Sequence, residues 1–197
     1  MKILNLYAGI GGNRKLWPDC HNVTAVENNR GICSWYLSQF PQDTMIVEDA
    51  HEYLRQNYEN FDFIWSSPPC PTHSRIRKYT NGGRFDDVYP DMRLWQEIIF
   101  LQHHFKGKWV VENTISYYEP FIDHKKIGRH YFWANFHLVD KNMPAEIRNT
   151  KHRHKPTDKQ KYFPDYPRQL IRNAVHPKLG LHILNCAFVE LQKVLVS

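Results

Sequence analysis

The chemistry of this chain is most visible around one cysteine, in the stretch SSPPCPTHSRIR at residues 66–77. Prolines flank Cys70 on both sides, and because the proline ring fixes φ, they restrict where the thiol can point. Three cations follow closely in sequence, at Arg75, Arg77 and Lys78. Positive charge favours the thiolate, which is the nucleophilic form of a cysteine. The stretch predicts a nucleophilic cysteine, and an ordinary turn cysteine is the alternative.

A second polar group ends a neighbouring predicted strand. Cys70 follows the apolar run FDFIW, and Glu112 and Asn113 end another apolar run, KWVVEN. Ligands of open α/β sheets bind at the carboxyl ends of the strands, so these side chains are expected in one crevice. A glutamate at a strand end is common, but beside a cysteine at the adjacent strand end it becomes a candidate acid.

A glycine-rich turn, LNLYAGIGG, follows the first predicted strand. Glycines there allow tight turning and close approach of a ligand. Glu27 ends the second predicted strand, about 20 residues on, where an acidic side chain can accept hydrogen bonds from ribose hydroxyls. Asp49 ends the third. Together they favour a nucleoside-containing cofactor. A plain strand-to-helix turn remains the alternative, since the turn lacks the G-x-G-x-x-G pattern, and Asp49 could equally cap the next helix.

The elements that position these groups alternate between strand and helix. The predicted strands are KILNLY, NVTAVE, TMIVED, FDFIWS and KWVVEN, and helices are predicted at 14–17, 31–39 and along DMRLWQEIIFLQHHF. This alternation predicts an α/β fold with a mostly parallel, doubly wound sheet. From about residue 128 the pattern changes to an antiparallel-type strand (HYFWANFHLVD), a basic proline-containing stretch and an apolar C-terminal helix.

Composition narrows the class of protein. A length of 197 residues favours a single domain over 1–197. No apolar run approaches the roughly 20 residues that span a bilayer, and the N-terminus lacks a signal-peptide core, so a cytoplasmic protein is expected. The four cysteines form no CxxC pair, and no metal site is predicted. The net charge of +6 is compatible with a polyanionic partner, although the most basic stretch, 148–161, could be a solvated loop.

Taken in order, five motifs resemble those of the C5-cytosine DNA methyltransferase family. They are YAGIGG, the acid of VENN, SPPC with a serine-containing loop after it, VVEN and NAVHP. The resemblance covers nearly the whole chain, and PPC and EN in order after an AGIGG turn are a specific combination. It implies the Rossmann-like fold of S-adenosylmethionine-dependent methyltransferases. It also implies methyl transfer from S-adenosylmethionine to C5 of a cytosine in DNA.

The resemblance assigns expected roles to the matching residues. Cys70 would be the nucleophile, Glu112 its acidic partner, and Arg129 a cation near the cytosine. The S-adenosylmethionine site would be lined by Tyr7, Ala8, Gly9, Gly11, Glu27, Asn28, Asp49, Ala50, Pro68, Asn173 and Val175. Among these, Glu27 would bind the ribose and Asp49 would lie near the adenine. Expected nucleic-acid contacts are Ser74, Arg75, Arg77, Lys78, Lys151 and Arg153. The segment 71–90 would be a loop that closes over the flipped base, with an ordinary surface loop as the alternative.

The sequence departs from the family pattern at several positions. Asn5 stands where the family usually has Asp, Thr114 where it has Val, and Arg172 where it has Gly. The family also offers two arginines spaced by one residue, whereas this chain has Arg129 followed by His130. The segment RHYFWANF is similar to RARYFWGN-type segments of vertebrate de novo methyltransferases, and that match would shift the alignment by one residue.

The expected target-recognition region is short. It is reduced to residues 137–167, and 168–197 would return to cover the cofactor site. Basic residues there would hold phosphates, which gives affinity without sequence information. We therefore expect relaxed target preference in a bacterial or bacteriophage enzyme of the kind found in restriction-modification. The alternatives are an RNA substrate, for which the Cys-Phe-Thr tripeptide of the tRNA branch is absent, a binding module without catalysis, and a subunit that needs a partner.

Overall fold

A computed structural model describes residues 1–75, 87–142 and 157–194. Within these ranges seven strands form one sheet in the order β3-β2-β1-β4-β5-β7-β6. The strands are β1 (Lys2–Leu6), β2 (Asn22–Val26), β3 (Thr44–Ile46), β4 (Phe63–Ser66), β5 (Lys108–Thr114), β6 (Lys125–Ile127) and β7 (His130–Ala134). Strands β1 to β5 pair in parallel, and β7 pairs antiparallel with β5 and with β6. The predicted α/β fold with a mostly parallel sheet is confirmed.

Three of the helices described next connect parallel strands, and the last two follow the final strand of the sheet. The helices are α1 (Arg30–Gln39), α2 (Ala50–Asn57), α3 (Arg93–His104), α4 (Arg168–Asn173) and α5 (Pro177–Val194). Short 3-10 helices span Arg14–Leu16, Tyr58–Asn60 and Lys159–Tyr162. The side chain of Asn29 caps α1 by accepting from two backbone N–H groups, which explains why that helix starts there. The predicted helix over 14–17 is a 3-10 turn, and α2 was not predicted.

Alternating side chains along the buried strands build a core on each face of the sheet. On one face, Ile3, Phe63 and Val110 pack with the C-terminal helix α5. On the other, Leu4 and Ile64 pack with helices α2 and α3. Both faces are therefore covered, as in a doubly wound sheet.

The C-terminal segment returns to the glycine turn. A Cβ on Gly12 would lie 2.4 Å from the carbonyl oxygen of Val175, and one on Gly180 would lie 2.2 Å from that of Asn13. Only glycine permits so close an approach of two backbones. Helix α5 is thereby fixed against the turn that follows β1.

The basic segment contributes to packing where it is described. Lys159 is buried, and its Nζ donates to the carbonyl oxygens of Arg172 at 3.2 Å and Ala174 at 3.0 Å. Tyr166 packs on Trp35 of α1 and donates to its carbonyl oxygen at 2.7 Å. The expectation that this stretch as a whole presents its cations to phosphates is wrong for Lys159, which satisfies helix-end carbonyls instead. Lys151 and Arg153 lie outside the described residues.

Candidate functional site

The carboxyl ends of the parallel strands form one crevice with two parts. The ends of β1, β2 and β3 form what we call the glycine-turn side. The ends of β4 and β5, with the start of β7, form the cysteine side, because the pairing of Thr114 with His130 places the start of β7 at the end of β5. Strand order alone brings these segments together from distant parts of the sequence.

On the glycine-turn side, backbone N–H groups hold Glu27. Gly9 N donates to Glu27 Oε2 at 3.2 Å, and Asn29 N donates to Oε1 at 3.0 Å. A Cβ on Gly9 would meet only the carbonyl oxygen of Tyr7, at 4.0 Å, so the turn leaves open space there. The fixed carboxylate beside an open glycine turn suits a ribose with two hydroxyls, and the residues present fit a nucleoside cofactor.

Asp49, between β3 and α2, accepts hydrogen bonds at both of its carboxylate oxygens. Its Oδ1 accepts from the backbone N–H groups of His51 at 2.9 Å and Glu52 at 3.1 Å, so it caps α2. Its Oδ2 accepts from Arg93 at 3.1 Å. Burial opposes ionisation, but these donors and Arg93 outweigh it and lower the pKa of Asp49. The helix-cap alternative is therefore confirmed, and the carboxylate still lies at the crevice.

A buried glutamate that the sequence analysis missed links the two sides. Glu97 Oε1 accepts from the Tyr7 hydroxyl at 2.5 Å and contacts His51 Nδ1 at 3.0 Å, while Oε2 accepts from Ser66 Oγ at 2.6 Å. Its position three residues after Leu94, on the apolar stripe of α3, was the available signal. Through these three contacts Glu97, on α3, connects the ends of β1 and β4 with helix α2.

Tyr7 is held in an unusual backbone conformation at this point. Its φ of 55° lies in the left-handed region, which bulky residues rarely adopt. Burial, together with the charge of Glu97 and its hydrogen bond, raises the pKa of the Tyr7 hydroxyl, which stays a donor. Such strain persists only where the surroundings fix the residue, and it is concentrated at functional sites.

Asn5 shows how the chain accommodates a departure from the family pattern. The buried side chains of Asn5 and Asn13 pair through their amides, with Asn13 Nδ2 donating to Asn5 Oδ1 at 2.7 Å. Two neutral amides satisfy each other at no cost in buried charge. The pair joins β1 to the end of the glycine turn.

On the cysteine side, the turn that carries Cys70 is docked on the end of β5. Asn113 Nδ2 donates to the carbonyl oxygen of Pro68 at 2.9 Å, and Arg75 N donates to that of Ile115 at 3.3 Å. The backbone N–H groups of His73 and Ser74 both donate to the carbonyl oxygen of Cys70 at 3.0 Å. These bonds fix the half-buried thiol beside the strand that carries Glu112.

The surroundings of Cys70 disfavour the thiolate. Burial raises the pKa of the thiol, and the nearby charge of Glu112 raises it further, while the Thr114 hydroxyl lowers it. The expected stabilisation by sequence-adjacent cations is wrong for Arg75, which is exposed and takes no part in this shift. Arg77 and Lys78 lie outside the described residues.

Glu112 contacts a histidine across the β5–β7 pair. His130 Nδ1 lies 2.5 Å from Glu112 Oε1, and the carboxyl is 7% exposed. The adjacent Arg129, the predicted cation, is exposed at the turn before β7. His130 was not predicted as a site residue, although its neighbour was.

Two polar atoms on the cysteine side are buried without a hydrogen-bond partner among the described residues. They are the Thr114 hydroxyl and His73 Nε2. The other ring nitrogen of His73 contacts the Tyr118 hydroxyl at 2.5 Å. The Thr114 hydroxyl does not satisfy the distance and angle of a hydrogen bond with any described residue. It nevertheless lies near enough to Cys70 to lower the pKa of the thiol.

The remaining predicted cofactor residues lie around the glycine turn and the strand ends. Pro68, Ala8 and Ala50 are buried, Asn28 and Asn173 are exposed, and Val175 is buried against Gly12. An open polar depression of about 540 Å³, lined by Met1, Lys2 and Asp62 among others, lies at the opposite edge of the sheet. No group of three potential metal ligands occurs among the described side chains, and none of the described helices is long and apolar enough to cross a membrane.

Comparison with known proteins decides the family. Residues 1–114, more than half of the chain, match the family model of the C-5 cytosine-specific DNA methylases. This chain belongs to that family. The match includes the glycine turn, Glu27, Asp49, Cys70 and Glu112. The family consists of S-adenosylmethionine-dependent cytosine-5 methyltransferases.

Individual relatives match only in part. The tRNA (cytosine(38)-C(5))-methyltransferase of Spodoptera frugiperda is 36% identical over 84 residues, which is 40% of this chain and 25% of the relative. A mutant of Spodoptera frugiperda DNMT2 matches with a TM-score of 0.39 and 28% identity, over 57% of this chain and 35% of that one. A SAM-dependent methyltransferase from Agrobacterium tumefaciens matches with a TM-score of 0.45 and 16% identity, over 60% and 40% of the two chains. The chain thus spans about a quarter of the length of the curated relative.

Proposed function

We propose that this protein transfers a methyl group from S-adenosylmethionine to C5 of a cytosine in DNA, through a covalent bond between Cys70 and C6. One observation carries the proposal. The turn that holds Cys70 is bonded to the end of β5 beside Glu112, in the same crevice as the glycine turn. A nucleophile and an acid on adjacent strands beside a nucleoside site suit this reaction.

On the glycine-turn side, Glu27 would accept hydrogen bonds from the ribose, and Asp49 would lie near the adenine. Backbone N–H groups already orient the Glu27 carboxylate, so binding requires no rearrangement of that side chain. Bound S-adenosylmethionine would supply the methyl group as an electrophile.

On the cysteine side, the thiolate of Cys70 would add to C6 of the cytosine. Addition would make C5 an enamine carbon that takes the methyl group, which breaks the bond between the methyl carbon and the sulfonium sulfur and leaves S-adenosylhomocysteine. N3 would accept a proton from the Glu112 carboxyl, which takes up that proton from solvent when the base binds. Loss of the C5 proton to solvent and breaking of the C6–sulfur bond restore the aromatic ring, and N3 returns its proton. Because the pKa of the thiol is raised in the free protein, substrate binding must favour the thiolate or the proton must leave during attack.

The target cytosine must leave its stack, because neither face of a stacked base is open to the thiol. Ser74 and Arg75 lie on the turn after Cys70 and would meet the flipped nucleotide. Arg77, Lys78 and most of the proposed closing loop lie outside the described residues. Recognition by the short segment 137–167 would be relaxed, and a partner protein could supply what it lacks.

RNA is the second candidate substrate, and one observation favours it. The curated relative that matches this chain is a tRNA methyltransferase. The family model, by contrast, is that of DNA methylases, and the Cys-Phe-Thr tripeptide is absent from the sequence. DNA is therefore the substrate that we propose.

The test is transfer of labelled methyl from S-adenosylmethionine to unmethylated duplex DNA, single-stranded DNA and tRNA in parallel. Wild type is compared with Cys70→Ala and with Cys186→Ala, which removes a half-buried cysteine on α5. We expect 5-methylcytosine in DNA with wild type and Cys186→Ala only. Label in tRNA alone would replace DNA by RNA, and label in DNA with Cys70→Ala would overturn the assigned nucleophile.

A further inference from the structure

The contact between His130 and Glu112 has a chemical requirement. A carboxylate and a bare ring nitrogen both only accept hydrogen bonds, so a contact of 2.5 Å between Nδ1 and Oε1 needs a proton between them. The His130 side chain is 23% exposed, whereas the carboxyl that it contacts is 7% exposed. The His130 side chain is therefore more accessible to solvent than the carboxyl that it contacts.

The backbone fixes this geometry. His130 is the first residue of β7 and pairs with Thr114, and Glu112 pairs with Phe132 two residues further along. The ring of His130 also lies 6.2 Å from that of Phe132. The contact thus joins two strands in a defined register, and it occupies one oxygen of the carboxyl.

We propose that His130 is a positioning residue for Glu112, which holds Oε1 by a hydrogen bond and so leaves Oε2 oriented for the base. This rests on the proposed function, in which Glu112 gives a proton to N3. His130 contacts the carboxyl, whereas Arg129, which was expected near the cytosine, is exposed one residue earlier. The rate of methyl transfer would depend on this orientation, because a displaced acid loses most of its effect on the rate.

A matched pair of variants separates the hydrogen bond from the ring. His130→Asn keeps a donor nitrogen close to the place of Nδ1 but removes the ring. His130→Phe keeps a ring without a donor. We expect His130→Phe to lower kcat by about 100-fold with a small change in KM for DNA, and His130→Asn to recover most of that loss. Equal losses in both variants, or wild-type kcat in His130→Phe, would overturn the proposal.

A second readout needs no substrate and tests the contact by itself. Alkylation of Cys70 by iodoacetamide, followed by site-resolved mass spectrometry, reports the thiolate fraction at a given pH. Without its donor, Glu112 turns an unshielded negative charge toward the thiol, so alkylation in His130→Phe should slow while His130→Asn stays near wild type. Unchanged alkylation in His130→Phe would contradict the coupling. If the two variants differ in alkylation in this way but wild type methylates no nucleic acid, the proposed function fails while the contact stands.

Discussion

The two sides of the crevice differ in how completely their polar groups are satisfied. Glu27 and Asp49 on the glycine-turn side each accept at least two hydrogen bonds from the protein, and so does Glu97, which links the two sides. On the cysteine side, among the described residues, the Thr114 hydroxyl and His73 Nε2 are buried without partners, and Cys70 lies where its thiolate is disfavoured. Under the proposed function, the glycine-turn side would be the cofactor half, ordered in advance, and the cysteine side would be the reaction half, whose polar groups the substrate would complete.

The difference between the glycine-turn side and the cysteine side is tested most strongly by substituting Glu112. Glu112→Gln removes the proposed acid, so methyl transfer should fall by about 10²- to 10⁴-fold. The same change removes a negative charge near Cys70, so its pKa should fall and alkylation should become faster. Slower methyl transfer together with faster alkylation of Cys70 would show that Glu112 and Cys70 have different roles, as acid and nucleophile.

The control for this change is Glu119→Gln, since Glu119 is exposed after the end of β5. It should leave both rates unchanged. Slower alkylation in Glu112→Gln would show that the carboxyl does not act on the thiol through its charge.

At Glu97, which links the two sides, the change Glu97→Gln should mainly affect stability. One acceptor oxygen becomes a donor that faces either the Tyr7 hydroxyl or the Ser66 hydroxyl, so we expect the free energy of unfolding to fall by about 2–3 kcal/mol. Urea denaturation measures this, with Glu52→Gln on the exposed surface of α2 as the control. Equal stability of the two variants would mean that the buried network contributes nothing.

The contact between His51 and Glu97 predicts a dependence of stability on pH. The hydrogen bond that His51 donates to Glu97 outweighs burial and raises the pKa of His51 above 6.5, so the folded state binds the proton more tightly than the unfolded chain. This contribution is complete below pH 6.5 and is lost as the pH rises through the folded-state value. Relative to His51→Gln, wild type should be stabilised more at pH 6 than at pH 9, measured by chemical denaturation. A gain that grows with pH would contradict the direction.

The smallest expected effect is that of Thr114→Val on the cysteine side. Valine matches the shape of threonine without the hydroxyl that lowers the pKa of Cys70, so alkylation should slow severalfold. Stability should not fall, because the buried hydroxyl makes no hydrogen bond to any residue that the structure describes. Thr114→Ser keeps the hydroxyl and should retain the wild-type rate. Faster alkylation in Thr114→Val would exclude the hydroxyl as a donor to the thiol.

The sequence predicted the groups that topology brings together. Glu27, Cys70 and Glu112 each end a strand or follow one directly, and the carboxyl ends of parallel strands meet at one edge. The alternation of strands and helices was sufficient to predict that arrangement. The family motifs added the order in which the groups occur.

What the sequence did not reveal depends on contacts between distant residues. Glu97 lies 90 residues from Tyr7, and His130 meets Glu112 only because β7 pairs antiparallel with β5. The predicted effect of charge on the pKa of Cys70 was wrong for a related reason. Arg75 is near in sequence but exposed, whereas Glu112 is distant in sequence and near in space.

The most direct test of the central claim is capture of the covalent bond between Cys70 and cytosine C6. An oligonucleotide with 5-fluorocytosine at its cytosines cannot lose a proton from C5 after methyl transfer, so the adduct should persist. In the presence of S-adenosylmethionine, wild type should form a complex that survives denaturation, and mass spectrometry should place the bond on Cys70. The account would be contradicted if the protein binds S-adenosylmethionine but forms no such complex with DNA or RNA. It would also be contradicted if Cys70→Ala forms the complex.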